Sequence, residues 1–91
     1  MDPITLEHNP SPMKLDVMNV DSWPIWTKEV SRFEWAYDTE EVCYILEGEA
    51  TITPEGGQPV TIKARDLVHF PAGMKCMWEV ISPLRKHYKL G

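Results

Sequence analysis

The sequence predicts an all-β fold, a sandwich or barrel built from short strands. Eight of the 91 residues are proline, about 9 % against an average of about 5 %, which suits short strands and turns and argues against a helical bundle. After Pro24, apolar and polar residues alternate with a period of two, which is typical of strands that bury one face. Turns rich in glycine and proline interrupt this alternation roughly every eight to twelve residues, as they do in sandwiches and barrels.

Length and charge limit the class of protein further. A chain of 91 residues is shorter than the usual ~100–200 residues of a domain. We therefore expect one domain, 1–91, with an N-terminal extension over 1–20 and a barrel over 21–91. Fourteen acidic and nine basic residues leave a net charge of −5. This balance offers no footprint for a nucleic acid or an anionic membrane, so we expect neither as a partner.

The expected compartment follows from signals that the sequence lacks. Its longest unbroken apolar run, 42–46, is five residues, far below the ~20 that cross a bilayer. The first residues resemble neither a secretory signal nor a transit peptide. We therefore expect a cytoplasmic protein in which Cys43 and Cys76 are free thiols.

Near the start of the chain, Ser11 and Pro12 predict a helix of one to two turns. Ser11 is a suitable N-cap, and Pro12 suits the first helical position because its missing N–H would have no partner there. Met13, Leu15 and Met18 supply the apolar residues of this helix.

Two strands carry the clearest patterns. Phe33, Trp35 and Tyr37 alternate with polar or small residues, which predicts a half-buried strand. The segment 41–47 is largely apolar on both faces and is expected to be covered on both sides. Pro83 is expected to end the strand over 74–81 and to leave the last strand, 85–90, at a sheet edge. The further strands are predicted over 48–53, 58–63, 67–70, 74–81 and 85–90.

Two motifs resemble those of the cupins. Residues 41–49, EVCYILEGE, match the second half of the first cupin motif, in which a glycine follows a glutamate by seven positions. Residues 66–73, DLVHFPAG, match the core of the second motif, and a short hairpin separates the two. The chain thus resembles small single-domain cupins of the RmlC-like type, and more narrowly the stand-alone cupins related to the (S)-ureidoglycine aminohydrolase cupin domain. The resemblance implies a cupin-type double-stranded β-helix, or jelly-roll barrel.

The resemblance also implies a metal site of three histidines and one glutamate, which this sequence does not reproduce. Glu41 matches the glutamate, but Cys76 stands at the position of the last histidine. The family's His-x-His pair aligns with Trp35 and Tyr37 or, if the gap is one residue longer, with the residues one position before them. We therefore expect no cofactor.

A divalent metal is the alternative expectation for the same residues. Glu41, Cys43 and Cys76 are of types that bind Zn²⁺. In the competing interpretation, the two cysteines are small buried apolar residues. Aminohydrolase activity in the family depends on bound metal, so the missing histidines argue against that activity here.

The inward residues of the first motif and of the strands that flank the two motifs define a predicted ligand pocket. In the cupin register, Glu41 points into the barrel among aromatic side chains. There it could act as a general acid or base, or it could be a structural carboxylate bonded to Tyr37 or to a backbone N–H. The candidates for catalysis are Glu41, Tyr37 and Cys76. The predicted pocket residues are Trp35, Tyr37, Glu41, Cys43, Cys76 and Trp78.

Three functions are compatible with this pocket. The first is a cupin of unknown activity that binds a small molecule without the usual metal. The second is an enzyme, a hydrolase, lyase or isomerase, that uses Glu41 with Tyr37 or Cys76, and the resemblance suggests ureide-type substrates. The third is a scaffold or interaction module whose barrel is packed solid, which a closed interior would favour.

Two surfaces are candidates for contacts with other molecules. The basic segment 85–89 is interpreted as a solvated edge that discourages edge-to-edge pairing, with an anion site at the barrel mouth as the alternative. A homodimer could form through an edge strand or through an outer face at Val42, Tyr44 and Leu46.

Overall fold

The computed structural model of the chain describes residues 2–91 and contains one antiparallel sheet of seven strands. One helix, α1 (Pro12–Met18), and a single 3-10 turn (Val20–Ser22) precede the second strand. The all-β prediction is therefore confirmed. The strands are β1 (Thr5–His8), β2 (Ile25–Lys28), β3 (Ser31–Ala36), β4 (Glu41–Pro54), β5 (Val60–Lys63), β6 (Asp66–Phe70) and β7 (Lys75–Leu90).

The two longest strands, β4 and β7, form the centre of the barrel. They pair with each other from Glu41 opposite Leu90 to Pro54 opposite Cys76. Each also pairs with two short strands in succession, β4 with β6 and then β5, and β7 with β3 and then β2. Because each long strand changes its second partner along its length, the sheet folds over on itself and encloses one core, as in a jelly roll.

The continuity of β7 corrects the prediction that Pro83 ends a strand and leaves 85–90 at an edge. β7 passes through Pro83 without interruption, and its last third lies between β4 and β2. The register between β4 and β7 is irregular at this point, from Ile45 to Ala50. A bulge leaves local ladder positions unpaired, so a proline without an N–H is tolerated there inside a central strand.

Gly48 lies in the same irregular stretch and has a φ of 91°, a conformation that residues with a Cβ rarely adopt. A Cβ at this position would lie 2.2 Å from the carbonyl oxygen of Pro83. The close approach of β4 to β7 therefore requires glycine, which accounts physically for the glycine seven positions after Glu41 in the first motif.

The basic end of β7 is half buried, which corrects its interpretation as a solvated edge. Lys86 and His87 are only 5 % and 9 % exposed, whereas Arg85 and Lys89 are exposed. Lys86 faces the barrel interior. His87 faces the other side of the strand, where its Nδ1 donates a hydrogen bond of 2.8 Å to the carbonyl oxygen of Trp23. The prediction failed because it weighed the charges alone, whereas alternation along the strand turns Lys86 toward the core and leaves Arg85 and Lys89 on the other face.

The N-terminal segment adds an edge strand to the sheet. β1 pairs with β6, and Nδ1 of His8 lies 2.6 Å from the carboxylate of Asp66. Asp66 is buried and also accepts a hydrogen bond of 2.9 Å from the backbone N–H of Lys63. Its side chain therefore links the start of β6 to the ends of β1 and β5. α1 begins as predicted, with the Ser11 hydroxyl accepting from the Lys14 N–H at 3.2 Å. No helix within residues 2–91 is long and apolar enough to span a bilayer.

Candidate functional site

A cavity of about 250 Å³ lies inside the barrel and opens to solvent. Aromatic side chains from β2, β3 and β7 form most of its wall. Trp35 is 51 % exposed and stands at the opening, whereas Trp78 is 2 % exposed and lies deep inside. The lining residues are Trp26, Phe33, Trp35, Tyr37, Glu41, Trp78, Lys86, Tyr88 and Leu90.

Glu41 and Lys86 form a buried ion pair in the wall of this cavity. Nζ of Lys86 donates a hydrogen bond to Oε2 of Glu41 at 2.6 Å, and the two residues are 5–6 % exposed. The Glu41 carboxylate is thus bonded to Lys86, and not to Tyr37 or a backbone N–H as one prediction had it. Burying two charges is unfavourable unless they are paired, so each residue depends on the other to be tolerated here.

Aromatic rings surround the Lys86 ammonium group. Its Nζ lies 4.8 Å from the ring centroid of Trp26, 5.0 Å from that of Trp78 and 6.0 Å from that of Phe70. These are cation–π distances, and such contacts are strongest where water is excluded. They offset part of the hydration that the ammonium group loses on burial.

The aromatic wall is held in place by contacts between its own rings. Phe33 stacks on Trp78 with centroids 5.9 Å apart and meets Trp26 and Trp35 edge to face at 6.4 and 6.5 Å. Each such pair adds ~0.5–1.5 kcal/mol beyond the burial of its surface. The rings that form the cavity wall therefore support one another.

Tyr37 provides a hydroxyl group at the buried side of the cavity. This hydroxyl accepts a hydrogen bond of 3.2 Å from Nε1 of Trp78. Burial, reinforced by the nearby Glu41 carboxylate, raises the pKa of Tyr37 far above its ordinary value of 10.0. The phenol therefore keeps its proton and can donate it in a hydrogen bond.

The structure separates the predicted pocket residues into two sets. Trp35, Tyr37, Glu41 and Trp78 all line the cavity. Cys43 and Cys76 lie outside the set of lining residues. Cys43 is fully buried in the core, and the Cys76 thiol donates to the Trp35 carbonyl oxygen at 3.6 Å. Within residues 2–91, no group of three or more His, Cys, Asp or Glu side chains is placed to hold a metal ion.

Burial suppresses the reactivity of both thiols. It raises the pKa of Cys43 from 9.0 to about 12 and that of Cys76 from 9.0 to about 11. The Trp78 side chain opposes the shift at Cys76, and Lys86 opposes it at Cys43, without cancelling either. Because the thiolate is the nucleophile, Cys76 is a poor candidate for covalent catalysis at neutral pH.

We predict that the folded protein resists alkylation by iodoacetamide at pH 7.5. At a pKa of about 11, Cys76 carries about a hundredfold less thiolate than an ordinary cysteine, and Cys43 carries less still. Since the unfolded chain loses its thiol protons first, both groups also make the folded state less stable as the pH rises above about 9. Mass spectrometry with and without urea measures the alkylation rates of the unfolded and the folded protein. Fast native alkylation of Cys76 would contradict this assignment.

The sequence interpretation missed Lys86, the second charged residue of the site. Its signal was present, because Leu84, Lys86, Tyr88 and Leu90 share one side of the strand. Because these residues alternate along the strand and the other three are apolar, the pattern places Lys86 on a buried face. The same alternation puts Arg85 and the other basic residues of the segment on the opposite face.

Comparisons with known proteins give a consistent family and fold. The family model of the EutQ-like cupin domain matches residues 16–88. The crystal structure of a DUF861 family protein from Thermotoga maritima has a TM-score of 0.95 and 50 % identity, covering 98 % of this chain and 100 % of that chain. No curated protein matches.

Two EutQ proteins share the fold at lower identity. EutQ from Clostridium difficile has a TM-score of 0.66 and 23 % identity over 72 % of this chain and 52 % of that chain. The putative ethanolamine utilization protein Q from Salmonella typhimurium has a TM-score of 0.66 and 24 % identity over 72 % and 53 %. The present chain thus spans about half the length of either EutQ protein, and the likeness is one of fold.

Proposed function

We propose that this chain, which belongs to the family of EutQ-like cupin domains, binds a small, flat and uncharged organic molecule in its barrel. The observation that carries the proposal is an aromatic cavity of about 250 Å³ whose polar groups are a buried ion pair and a protonated phenol. Convergent polar groups in an apolar cavity are the usual features of a ligand site. The open cavity also argues against the alternative of a barrel packed solid as a scaffold.

We propose further that binding needs no metal ion. Lys86 supplies a positive charge 2.6 Å from Glu41, the residue that matches the family's glutamate ligand. If the family's His-x-His pair aligns with Trp35 and Tyr37, which both line the cavity, the other positions of the metal site hold those two residues and Cys76. The Tyr37 hydroxyl and the Cys76 thiol are engaged with Trp78 and a backbone carbonyl. This donor set does not fit the metal site that the cupin resemblance implies.

The size and walls of the cavity favour a compact planar ligand. Its volume of about 250 Å³ is below the ~300–1,000 Å³ of sites for drug-sized molecules. The indole and phenyl faces that line it stack well on a flat apolar body. A single aromatic or heteroaromatic ring with a short substituent meets both conditions.

The charges in the cavity favour a neutral ligand. Glu41 and Lys86 together carry no net charge. The attraction of an anionic ligand to Lys86 is therefore offset by its repulsion from Glu41, and the attraction of a cationic ligand to Glu41 is offset by its repulsion from Lys86. A neutral group with an acceptor and a donor side by side, such as a carboxamide, can accept from Lys86 or Tyr37 and donate to Glu41. This ligand leaves the ion pair intact.

We predict that benzamide binds and stabilises the protein, whereas benzoate and benzylammonium bind at least about tenfold more weakly, a difference of about 1.4 kcal/mol. Stabilisation should follow ligand concentration in the saturable form expected for binding to the folded state alone. Thermal-shift titration measures the stabilisation, and isothermal calorimetry measures the affinity of each compound. Equal affinity for the three compounds would contradict the role given to the ion pair.

Variants at two exposed apolar residues locate the binding. Trp35→Ala removes the wall at the opening and is expected to weaken benzamide binding about 3- to 10-fold, corresponding to ~0.5–1.5 kcal/mol. Ile81→Ala is the matched control, because Ile81 is 47 % exposed and does not line the cavity. If neither variant changes benzamide affinity, the ligand does not occupy this cavity.

A further inference from the structure

We propose that Lys86 is a reactive amine that forms an imine with an aldehyde or ketone held in the cavity. This rests on the proposed function, since the same cavity must first hold the carbonyl compound. The imine proposal adds a covalent step to non-covalent binding. It also names a substrate class, small aromatic aldehydes and ketones.

The placement of Lys86 is unlike that of any other lysine in the described residues. Its side chain is 6 % exposed and lines a cavity wide enough for a small ring. Lys14, Lys63, Lys75 and Lys89 are exposed, and Lys28 is half-buried outside the cavity lining. A lysine that lines a ligand cavity is placed to attack the carbonyl group of a molecule held there.

Glu41 supplies the base that this chemistry needs. A protonated amine has no lone pair, so the ammonium group must first transfer a proton. The carboxylate of Glu41 is 2.6 Å away along an existing hydrogen bond. Transfer of a proton along that bond is the step that frees the Nζ lone pair for attack on a carbonyl group.

The reaction balances without an oxidant or a reductant. The Nζ lone pair attacks the carbonyl carbon, the C–N bond forms, and the carbonyl oxygen takes the proton that Glu41 received. The resulting carbinolamine then loses its hydroxyl as water, with the second proton coming from the nitrogen through Glu41. The net change is that an ammonium group and a carbonyl compound become a protonated imine and one molecule of water.

The site suits the product as well as the reactant. A protonated imine carries its positive charge on the same nitrogen, so it keeps the ion pair with Glu41. The rings of Trp26 and Trp78, at 4.8 and 5.0 Å from that nitrogen, face the charge before and after the reaction. The conjugated imine of an aromatic aldehyde is also flat and can stack on the same walls.

The test is reductive trapping on the full-length chain. The protein is incubated with benzaldehyde and sodium cyanoborohydride near pH 7, which converts an imine into a stable benzyl amine, and the modified lysines are identified by peptide mapping. We expect Lys86 to be modified at least tenfold faster than each of the other five lysines. Modification of Lys14 or Lys75 ahead of Lys86 would overturn the proposal, leaving a structural ion pair only.

Two further measurements separate the covalent step from binding alone. Benzyl alcohol has the shape of benzaldehyde without its electrophile, so it should slow modification of Lys86 and leave the exposed lysines unaffected. Lys86→Arg should abolish the fast adduct. If this variant does not fold, the site selectivity of the natural chain still decides.

The outcomes for binding and for chemistry are distinguishable. Saturable benzamide binding with no preferential trapping at Lys86 would overturn the imine proposal and leave the binding function standing. Preferential trapping at Lys86 that benzyl alcohol suppresses supports both. Absence of benzamide binding together with unselective trapping would overturn both.

Discussion

Glu41→Gln is expected to lower the free energy of unfolding by about 3–5 kcal/mol, because it leaves the Lys86 ammonium group buried without its counter-charge. Lys86 is 6 % exposed at the side chain and bonds to Glu41 at 2.6 Å. The cation–π contacts with Trp26 and Trp78 remain, but they supply only part of what hydration provided. Urea denaturation followed by tryptophan fluorescence measures the loss.

A matched control and a double variant isolate the cause. Glu47→Gln removes the exposed ion pair between Glu47 and Arg85, whose side chains are 64 % and 45 % exposed, and should cost less than about 1 kcal/mol. The double variant Glu41→Gln with Lys86→Met should be more stable than Glu41→Gln alone, since no unpaired charge stays buried. If Glu41→Gln costs no more than Glu47→Gln, the pair is not buried as described.

Gly48→Ala is expected to destabilise the protein by about 3 kcal/mol or more. A positive φ costs a residue with a Cβ ~1–2 kcal/mol, and Gly48 has a φ of 91°. The added Cβ would also lie 2.2 Å from the Pro83 carbonyl oxygen and 2.8 Å from Cα of Leu84. Both are backbone atoms of a central strand, so relief requires β4 and β7 to move apart, at a further ~1–3 kcal/mol typical of overpacking.

Gly56→Ala separates conformational strain from the steric clash. Gly56 also has a positive φ, 72°, but a Cβ there would meet nothing within 4 Å. It should therefore cost only the ~1–2 kcal/mol of the left-handed conformation. Chemical denaturation of the two variants gives the difference directly. Equal losses would mean that β4 and β7 tolerate a side chain at their closest approach.

Local sequence determined much of this fold. The alternation in 33–37 and 41–47, the Ser11–Pro12 helix start and the glycine- and proline-rich turns are properties of neighbouring residues, so they could be predicted and most were found. The two motifs predicted the jelly roll, and the register of its strands predicted that Glu41, Tyr37 and Trp78 point inward, where all three are buried. These inferences need only local conformational preferences and the direction in which a strand residue points.

Tertiary structure alone decided the chemistry of the cavity. Glu41 and Lys86 are 45 positions apart, and they meet only because β4 and β7 pair in a register that a bulge near Gly48 shifts. Pro83 is compatible with a central strand only because it lies at that same bulge. Strand periodicity assigns a face to each residue, but register and bulges decide which residues on that face are in contact.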